Sequence, residues 1–357
     1  MARANDIPDL NCEASAAAGA RLALLARLEE MCARRAAALN WADLEGVHDM
    51  RVASRRLRSA LRDFAPFFRK AELRPIRARI KLIAGALGRV RDEDVAIAAL
   101  ERLMAKAPAD LLPGLERVVA ERRIQREELR SRLVAAIAEE QLARLQLDVA
   151  AGLEHSIRDE RQPGRSGLDQ TPILEPSFRQ AGRDIIAARI KDLRKLSRSL
   201  YAPLRTGPLH RLRIAAKRLR YALELFAPCW GGALVPYARE VAELQSSLGD
   251  LHDADEWIKA LGKRLRRTSR RQEAADTRSA AGEDQRALVW LLDHFSRART
   301  KHYRASLRRW QEWQANHLLE RLAAQLEAGD LAPGPQPELL TVAGTEPTGA
   351  ASLRDVS

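Results

Sequence analysis

The chain of 357 residues carries a net charge of +13 at neutral pH, with 46% hydrophobic but only 4% aromatic residues. This hydrophobic content suffices for a packed interior of leucine, alanine, valine and isoleucine, in one large domain or two. No apolar run approaches the roughly 18 residues of a membrane-spanning helix. The surplus positive charge indicates an anionic partner, because it raises the local concentration of polyanions.

Helical periodicity and helix-breaking residues predict an almost entirely α-helical chain. No stretch alternates for long with the period of a β-strand, and no glycine-rich phosphate loop follows a candidate strand. Gly88 is expected to end one helix and the carboxylates of Asp92 and Asp94 to cap the next. The predicted helices span about 15–39, 43–64, 75–88, 92–106, 113–147, 178–201, 208–226, 236–248, 253–267 and 283–327.

Four segments lack a helical period and divide the chain. They are predicted as a disordered lead at 1–14, a connector at 158–177, a mobile insertion at 268–282 and a disordered tail at 328–357. A single domain at 15–327 would then consist of a first half at 15–157 and a second half at 178–327.

Residues 47–64, VHDMRVASRRLRSALRDF, are typical of an amphipathic helix with a continuous row of positive charge. At about 100° per residue the basic side chains share one arc roughly 80° wide, because their spacing is three, four, three and four residues. Arg56 lies to one side of this arc, and Leu57 and Leu61 lie opposite it. The row consists of His48, Arg51, Arg55, Arg58 and Arg62.

The same pattern recurs 162 residues later, at 209–226, as LHRLRIAAKRLRYALELF. A second block, LGRVRDED at 87–94, recurs as LGDLHDAD at 248–255. Such self-similarity indicates two similar halves that share a core. The duplication sets His48, Arg51, Arg55, Arg56 and Arg58 against His210, Arg213, Lys217, Arg218 and Arg220.

The three cysteines, Cys12, Cys32 and Cys229, form no C-x-x-C pair. An odd and sparse set of this kind is what a reducing compartment permits. The first residues, MARANDIPDLNC, contain no hydrophobic signal core. We therefore expect a cytoplasmic protein with no membrane partner.

The paired blocks H-x-x-R-[VI]-x-x-[RK]-R-L-R and L-G-x-x-x-D-x-D resemble the CHAD domain, an α-helical domain named for conserved histidines. The resemblance extends over about 15–325. It implies an all-α fold of two four-helix-bundle halves related by a pseudo-twofold axis, with basic helices lining a central groove or cavity. It also implies binding of inorganic polyphosphate and association with polyphosphate granules and, through them, with other granule proteins.

The resemblance and the basic helix faces together give the candidate ligand-binding residues. Those in the motif or matched to it are His48, Arg51, Arg55, Arg56, Arg58, Lys81, Arg91, His210, Arg213, Lys217, Arg218 and Arg220. The remaining basic faces add Arg62, Arg77, Lys195 and Lys301. The second half departs from the pattern at Glu224, Ala242 and His252, which stand opposite Arg62, Lys81 and Arg91, so we expect it to bind more weakly.

Two other functions remain possible on the residues alone. A nucleic-acid or phosphoprotein binding module is permitted by the charge, although Tyr221 is the only aromatic residue among the basic positions of the two helices. A metal-dependent phosphohydrolase is suggested by the pairs His48-Asp49 and His252-Asp253, but the duplication does not align them. The acidic residues Asp92, Asp94, Asp253 and Asp255 are interpreted as helix caps or arginine-positioning groups. No E-x-E-x-K signature of the triphosphate-hydrolysing CYTH domain occurs, so we expect a binding protein without enzymatic activity, cofactor or metal.

Overall fold

The computed structural model describes residues 5–158, 175–274 and 278–328, and in these ranges the chain is all-helical, as predicted, without a β-strand. Short 3-10 turns join some of the helices. Most of the predicted connector and nearly all of the predicted tail lie outside the described residues. The helices are α1 (Ala16–Ala33), α2 (Arg35–Leu39), α3 (Leu44–Asp63), α4 (Lys70–Met104), α5 (Leu112–Ala136), α6 (Glu139–Arg158), α7 (Phe178–Ser197), α8 (Thr206–Phe226), α9 (Val235–Ala274), α10 (Arg278–Ala315) and α11 (Leu318–Ala328).

The predicted breaks at Gly88 and Gly249 are wrong, because α4 and α9 continue through both glycines. Asp92 and Asp253 therefore lie inside helices and cap no helix end. A glycine inside a helix costs only about 1 kcal/mol relative to alanine, which burial along a helix of this length easily offsets. The described residues of the expected insertion at 268–282 are helical, since α9 extends to Ala274 and α10 begins at Arg278.

Successive helices pack in the same order in the two parts of the chain. In the first, α1 packs on α3, α3 on α4 and α4 on α5; in the second, α7 packs on α8, α8 on α9 and α9 on α10. The two series meet where α1 contacts α7, α3 contacts α8 and α5 contacts α10. This arrangement brings the two basic helices of the repeat, α3 and α8, side by side. None of the described helices has the length and apolar character needed to cross a membrane.

Three buried phenylalanines join the two series of helices. Phe64 and Phe226 end the two repeated helices, and their ring centroids lie 5.8 Å apart in an edge-to-face arrangement. Phe178 packs between them, with its ring 5.7 Å from Phe64 and 4.9 Å from Phe226. Gly19 and Gly182 permit this contact, because a Cβ atom at either position would lie 2.4 Å from Phe178 or 2.6 Å from Phe226. The aromatic contact fixes the C-terminal ends of α3 and α8 together.

The segment before α1 is ordered where it is described, so the prediction of a disordered lead is wrong there. The backbone N–H groups of Phe178 and Arg179 donate to the carbonyl oxygens of Ala14 and Cys12, each at 2.9 Å. Cys12 also forms a disulfide bond with Cys229, 217 residues away. The cysteines are therefore not three unpaired thiols, and they no longer support a reducing compartment.

Candidate anion-binding site between the repeated helices

Seven basic side chains of α3 and α8 lie where the two helices contact each other, and we call them the cation cluster. Lys217 of α8 experiences the charges of Arg55, Arg51 and Arg58 across the helix contact. Further along, Arg62 of α3 experiences the charge of Arg218. The cluster consists of Arg51, Arg55, Arg58, Arg62, Arg213, Lys217 and Arg218. Two rows that are 162 residues apart in sequence thus share one electrostatic environment.

Burial and mutual repulsion destabilise the protonated forms of several of these groups and so lower their pKa values. Burial, followed by the charge of Arg55, lowers the pKa of Lys217 to about 7. Burial, followed by Arg218, lowers the pKa of Arg62 to about 10. The pKa values of Arg51, Arg58 and Arg213 are lowered as well, again chiefly by burial. The cations are held close together at an energetic cost that an anion would relieve.

The cluster has few internal counter-ions. Within the described part of the chain, no ion pair within 4.0 Å involves Arg55, Arg58, Arg62, Arg213, Lys217 or Arg218. The Nε atom of Arg218 is buried and has no hydrogen-bond partner among the described residues. Arginines elsewhere are neutralised: Arg264 binds Glu121 at 2.6 Å and Arg122 binds Glu93 at 3.0 Å. Six of the seven cations of the cluster are therefore half-buried charges without an ion-pair partner among the described residues, and the seventh, Arg51, pairs with Asp92.

Two aspartates flank the cluster from α4 and α9. Arg51 Nη2 donates to Asp92 Oδ1 at 2.8 Å, and the charge of Arg213 opposes the burial that raises the pKa of Asp253. Each arginine also lies against the glycine of the second repeated block. A Cβ atom at Gly88 would lie 3.8 Å from Arg51 Nε, and one at Gly249 would lie 3.7 Å from Arg213 Nε. The second block therefore places a glycine against each of these two arginines, and Asp92 also holds Arg51 by a hydrogen bond.

Asp94 and Asp255 also serve arginines, but away from the cluster. Asp94 Oδ1 lies 3.7 Å from Arg126 and 4.0 Å from Arg130, and Asp255 accepts a hydrogen bond of 2.6 Å from Arg299. The interpretation of these residues as arginine-positioning groups is confirmed, whereas their role as helix caps is wrong. Among the described residues, no three His, Cys, Asp or Glu side chains are grouped so that they could hold a metal ion.

The two repeated histidines lie at the same end of the site as Asp92 and Asp253. His48 is half-buried, and burial followed by the charge of Arg91 lowers its pKa. Arg91 donates to the carbonyl oxygen of Leu44 at 3.0 Å and to Glu45 at 3.1 Å. In the second half His252 occupies the place of Arg91, and its Nδ1 atom lies 3.2 Å from Nδ1 of His210.

Arg56 and Arg220 were predicted as ligand contacts, but the structure places both in the interior. Arg56 is 6% exposed and binds Glu30 at 3.1 Å and Glu224 at 3.7 Å. Arg220 is also 6% exposed and donates to Glu224 at 2.6 Å. Glu224 replaces the arginine of the first half, so its charge attracts Arg220 away from the basic row. The off-arc position of Arg56 on the helical wheel was the signal that it faces another direction.

A second buried pair joins the halves near these residues. Asp63 of α3 is 1% exposed and accepts a hydrogen bond of 2.7 Å from Arg189 Nη2 of α7. Together with Glu30 and Glu224, it neutralises arginines that would otherwise be buried without a partner. This ionic network was missed by sequence reasoning, because most of its pairs join different helices, although Arg220 and Glu224 lie four residues apart on α8.

The other predicted residues lie in three places. A hollow of about 200 Å³ beside the cluster is lined by Arg58, Arg62, Arg77 and Lys81, with Leu61 and Ala78. Lys301 instead lines an open hollow on α10 with Arg297, Arg304 and Arg308. Lys195 is exposed on α7. Thus Arg77 and Lys81 adjoin the cluster, while no described contact connects Lys195 or Lys301 with it.

The helices and the cluster define an all-α domain built around two neighbouring basic helices. The family model of the CHAD domain matches residues 22–262, and the chain belongs to this family. The fold is similar to the crystal structure of the CHAD domain from the plant Ricinus communis, with a TM-score of 0.62 and 25% identity over 86% of this chain and 96% of that one. It is also similar to PptA from Streptomyces chartreusis, with a TM-score of 0.58 and 17% identity over 84% and 100% of the two chains, which shows the fold alone. A search of curated proteins finds no significant match.

Proposed function

We propose that this protein binds inorganic polyphosphate through the cation cluster and performs no chemistry on it. The observation that carries the proposal is the set of seven half-buried cations on two helices that contact each other, six of them without an ion-pair partner among the described residues. The CHAD family is associated with polyphosphate binding in general, which supports this choice of anion. Polyphosphate carries about one negative charge per phosphate, so its binding site needs a row of cations rather than a single one.

The helix geometry supplies that row. Basic residues at intervals of three and four, with a rise of roughly 1.5 Å per residue, place a cation about every 5 Å along the helix. Arginines would bind phosphate oxygens in pairs, and Lys217 would act as a point charge. We further infer that the two halves are related by an approximate twofold axis, since Arg51 on Gly88 and Arg213 on Gly249 are matching contacts. The polymer would then lie between the two rows.

The proposal is tested by reversing charge within the cluster. The triple variant R51E/R55E/R58E should lose polyphosphate binding at 150 mM salt and retain its helical circular dichroism. The matched control is R297E/R304E/R308E, which makes the same charge change on the exposed face of α10. We expect the control to keep its affinity within about threefold, because longer-range attraction is largely screened at this salt. Equal losses in the two variants would mean that net charge, rather than the cluster, binds the polymer.

Nucleic acid is the second candidate ligand, because positive charge alone would also attract it. Tyr221 is 8% exposed and cannot offer its ring to a base, which favours polyphosphate. A competition assay separates the two ligands. RNA at equal phosphate concentration should fail to displace long-chain polyphosphate at physiological salt, and efficient displacement would reverse the preference.

Two further experiments test whether the protein hydrolyses polyphosphate and whether it collects at polyphosphate granules in cells. Purified protein incubated with polyphosphate and a divalent metal should release no phosphate above the rate without protein. A fluorescently tagged copy in phosphate-rich cells should collect at cytoplasmic polyphosphate granules, and R51E/R55E/R58E should not. Phosphate release would support the phosphohydrolase hypothesis instead.

A further inference from the structure

The second half contains a pair of imidazole rings beside the cation cluster. His210 of α8 and His252 of α9 have their Nδ1 atoms 3.2 Å apart and their ring centroids 4.2 Å apart. The corresponding position in the first half is Arg91, whose guanidinium binds Leu44 and Glu45. In the sequence, His252 stands out as a departure from the repeat and as part of the pair His252-Asp253. The structure shows that this departure creates a contact which the first half lacks.

The contact constrains the protons on both rings. Two nitrogens at 3.2 Å form a hydrogen bond only if one carries a proton and the other accepts it. In the neutral pair, the ring that donates through Nδ1 has a bare Nε2 atom, and the other ring carries its hydrogen on Nε2. One additional proton leaves the bridge intact and gives both Nε2 atoms a hydrogen. The pair then has a charge of +1 and offers two donors to an anion.

The surroundings keep the pair neutral without a ligand. Burial is the largest cause that lowers the pKa of each histidine, and the charge of Arg213 acts in the same direction. The groups that face the pair are Arg213 and Lys217 from α8, and Asp253, Asp255 and Glu256 from α9. The three carboxylates oppose the lowering but do not reverse it.

We propose that His252 is a positioning residue that holds His210 toward the anion, and that the pair takes up a proton when polyphosphate binds. This inference rests on the proposed function of the cation cluster. A bound polyanion stabilises the protonated histidine pair. The affinity of the protein for polyphosphate should therefore rise as the pH falls. The expected gain is about three- to tenfold between pH 7.5 and pH 6, the range in which histidines titrate.

The experiment measures proton uptake by calorimetric titration with long-chain polyphosphate in two buffers of different ionisation enthalpy at pH 7. Lys217 also titrates in this range, so K217R, which retains the positive charge, is the reference protein. The matched variant is K217R/H252R, which gives the second half the residue of the first. We expect uptake to be lower by about 0.3 to 0.7 proton in K217R/H252R, because one titrating pair is removed.

Nuclear magnetic resonance of the ligand-free protein gives a second readout that does not require a variant. One of the two rings should be the Nδ1–H tautomer, as the bridge demands. Equal proton uptake in the two variants, or Nε2–H tautomers on both rings, would overturn the inference and leave the proposed function intact. Failure of the unaltered protein to bind polyphosphate at any pH would overturn the proposed function first.

Discussion

Arg51 and Asp92 are joined by a hydrogen bond of 2.8 Å from Nη2 to Oδ1, and the carboxylate is the more exposed partner. The arginine is 20% exposed and the aspartate 66%. A phosphate that enters the cluster must therefore compete with Asp92 for Arg51. Water can readily solvate the Asp92 carboxylate once the phosphate has displaced it. The pair holds Arg51 in position without blocking it.

Replacing Asp92 with asparagine should strengthen polyphosphate binding about two- to fivefold. An exposed ion pair contributes about 0.2–1 kcal/mol, and that is the free energy a phosphate no longer has to overcome. The control is D293N, which removes the partner of Arg297 on α10 and should leave affinity unchanged. Fluorescence titration at 150 mM salt measures both, and weaker binding by D92N would show that Asp92 supports the bound state.

Replacing the adjacent residues Arg55 and Arg56 should have different effects: the first on binding and the second on stability. R55A should weaken binding about tenfold, the size expected for one charge-assisted contact, and leave thermal stability unchanged or higher. R56A should lower the free energy of unfolding by about 2–4 kcal/mol, because it leaves Glu30 and Glu224 with incomplete neutralisation in the interior. Denaturant unfolding and binding are measured on the same samples. A folded R56A protein with tenfold weaker binding would show that Arg56 contacts the polymer.

Because of the lowered pKa of Lys217, the free energy of unfolding of the ligand-free protein should increase as the pH rises. The pKa of this lysine in the folded protein is about 7, below the ordinary value near 10.4, so between these pH values the unfolded chain binds the proton that the folded chain releases. The free energy of unfolding should therefore increase by about 1–2 kcal/mol from pH 7 to pH 9. K217M should be more stable at pH 7 and show a smaller increase. The exposed control K259M should behave as the unaltered protein, and an identical pH dependence in K217M would refute the assignment.

The disulfide bond should contribute substantially to stability. The free energy of unfolding of C12S/C229S should be about 2–4 kcal/mol lower than that of the unaltered protein, since the bond closes a long loop in the unfolded chain. C32S should have little effect, because Cys32 forms no such bond. Burial raises the pKa of the Cys32 thiol to about 11, so the native protein should react slowly with iodoacetamide at pH 8. Three rapidly alkylated thiols in the native protein would contradict both expectations.

Only part of the candidate site could be predicted from the sequence. The shared face of the row from Arg51 to Arg62 follows from helical spacing alone, whereas its role in ligand binding stays a prediction. The burial of Arg56 and Arg220 against carboxylates was not predicted, since it depends on a carboxylate from another part of the fold or on the Glu224 substitution. Helix ends at Gly88 and Gly249 failed for a related reason, because packing stabilises a continuous helix despite a weak local residue.

The helical nature of the chain and the spacing of its cations follow from local periodicity, and the recurrence of two sequence blocks is visible in the sequence itself. Three contacts were not predictable in this way: α3 packs on α8, Cys12 bonds to Cys229, and His252 meets His210. Each of these contacts joins residues from different helices or segments. Their positions depend on how the whole apolar interior packs, and short-range pattern carries no information about that.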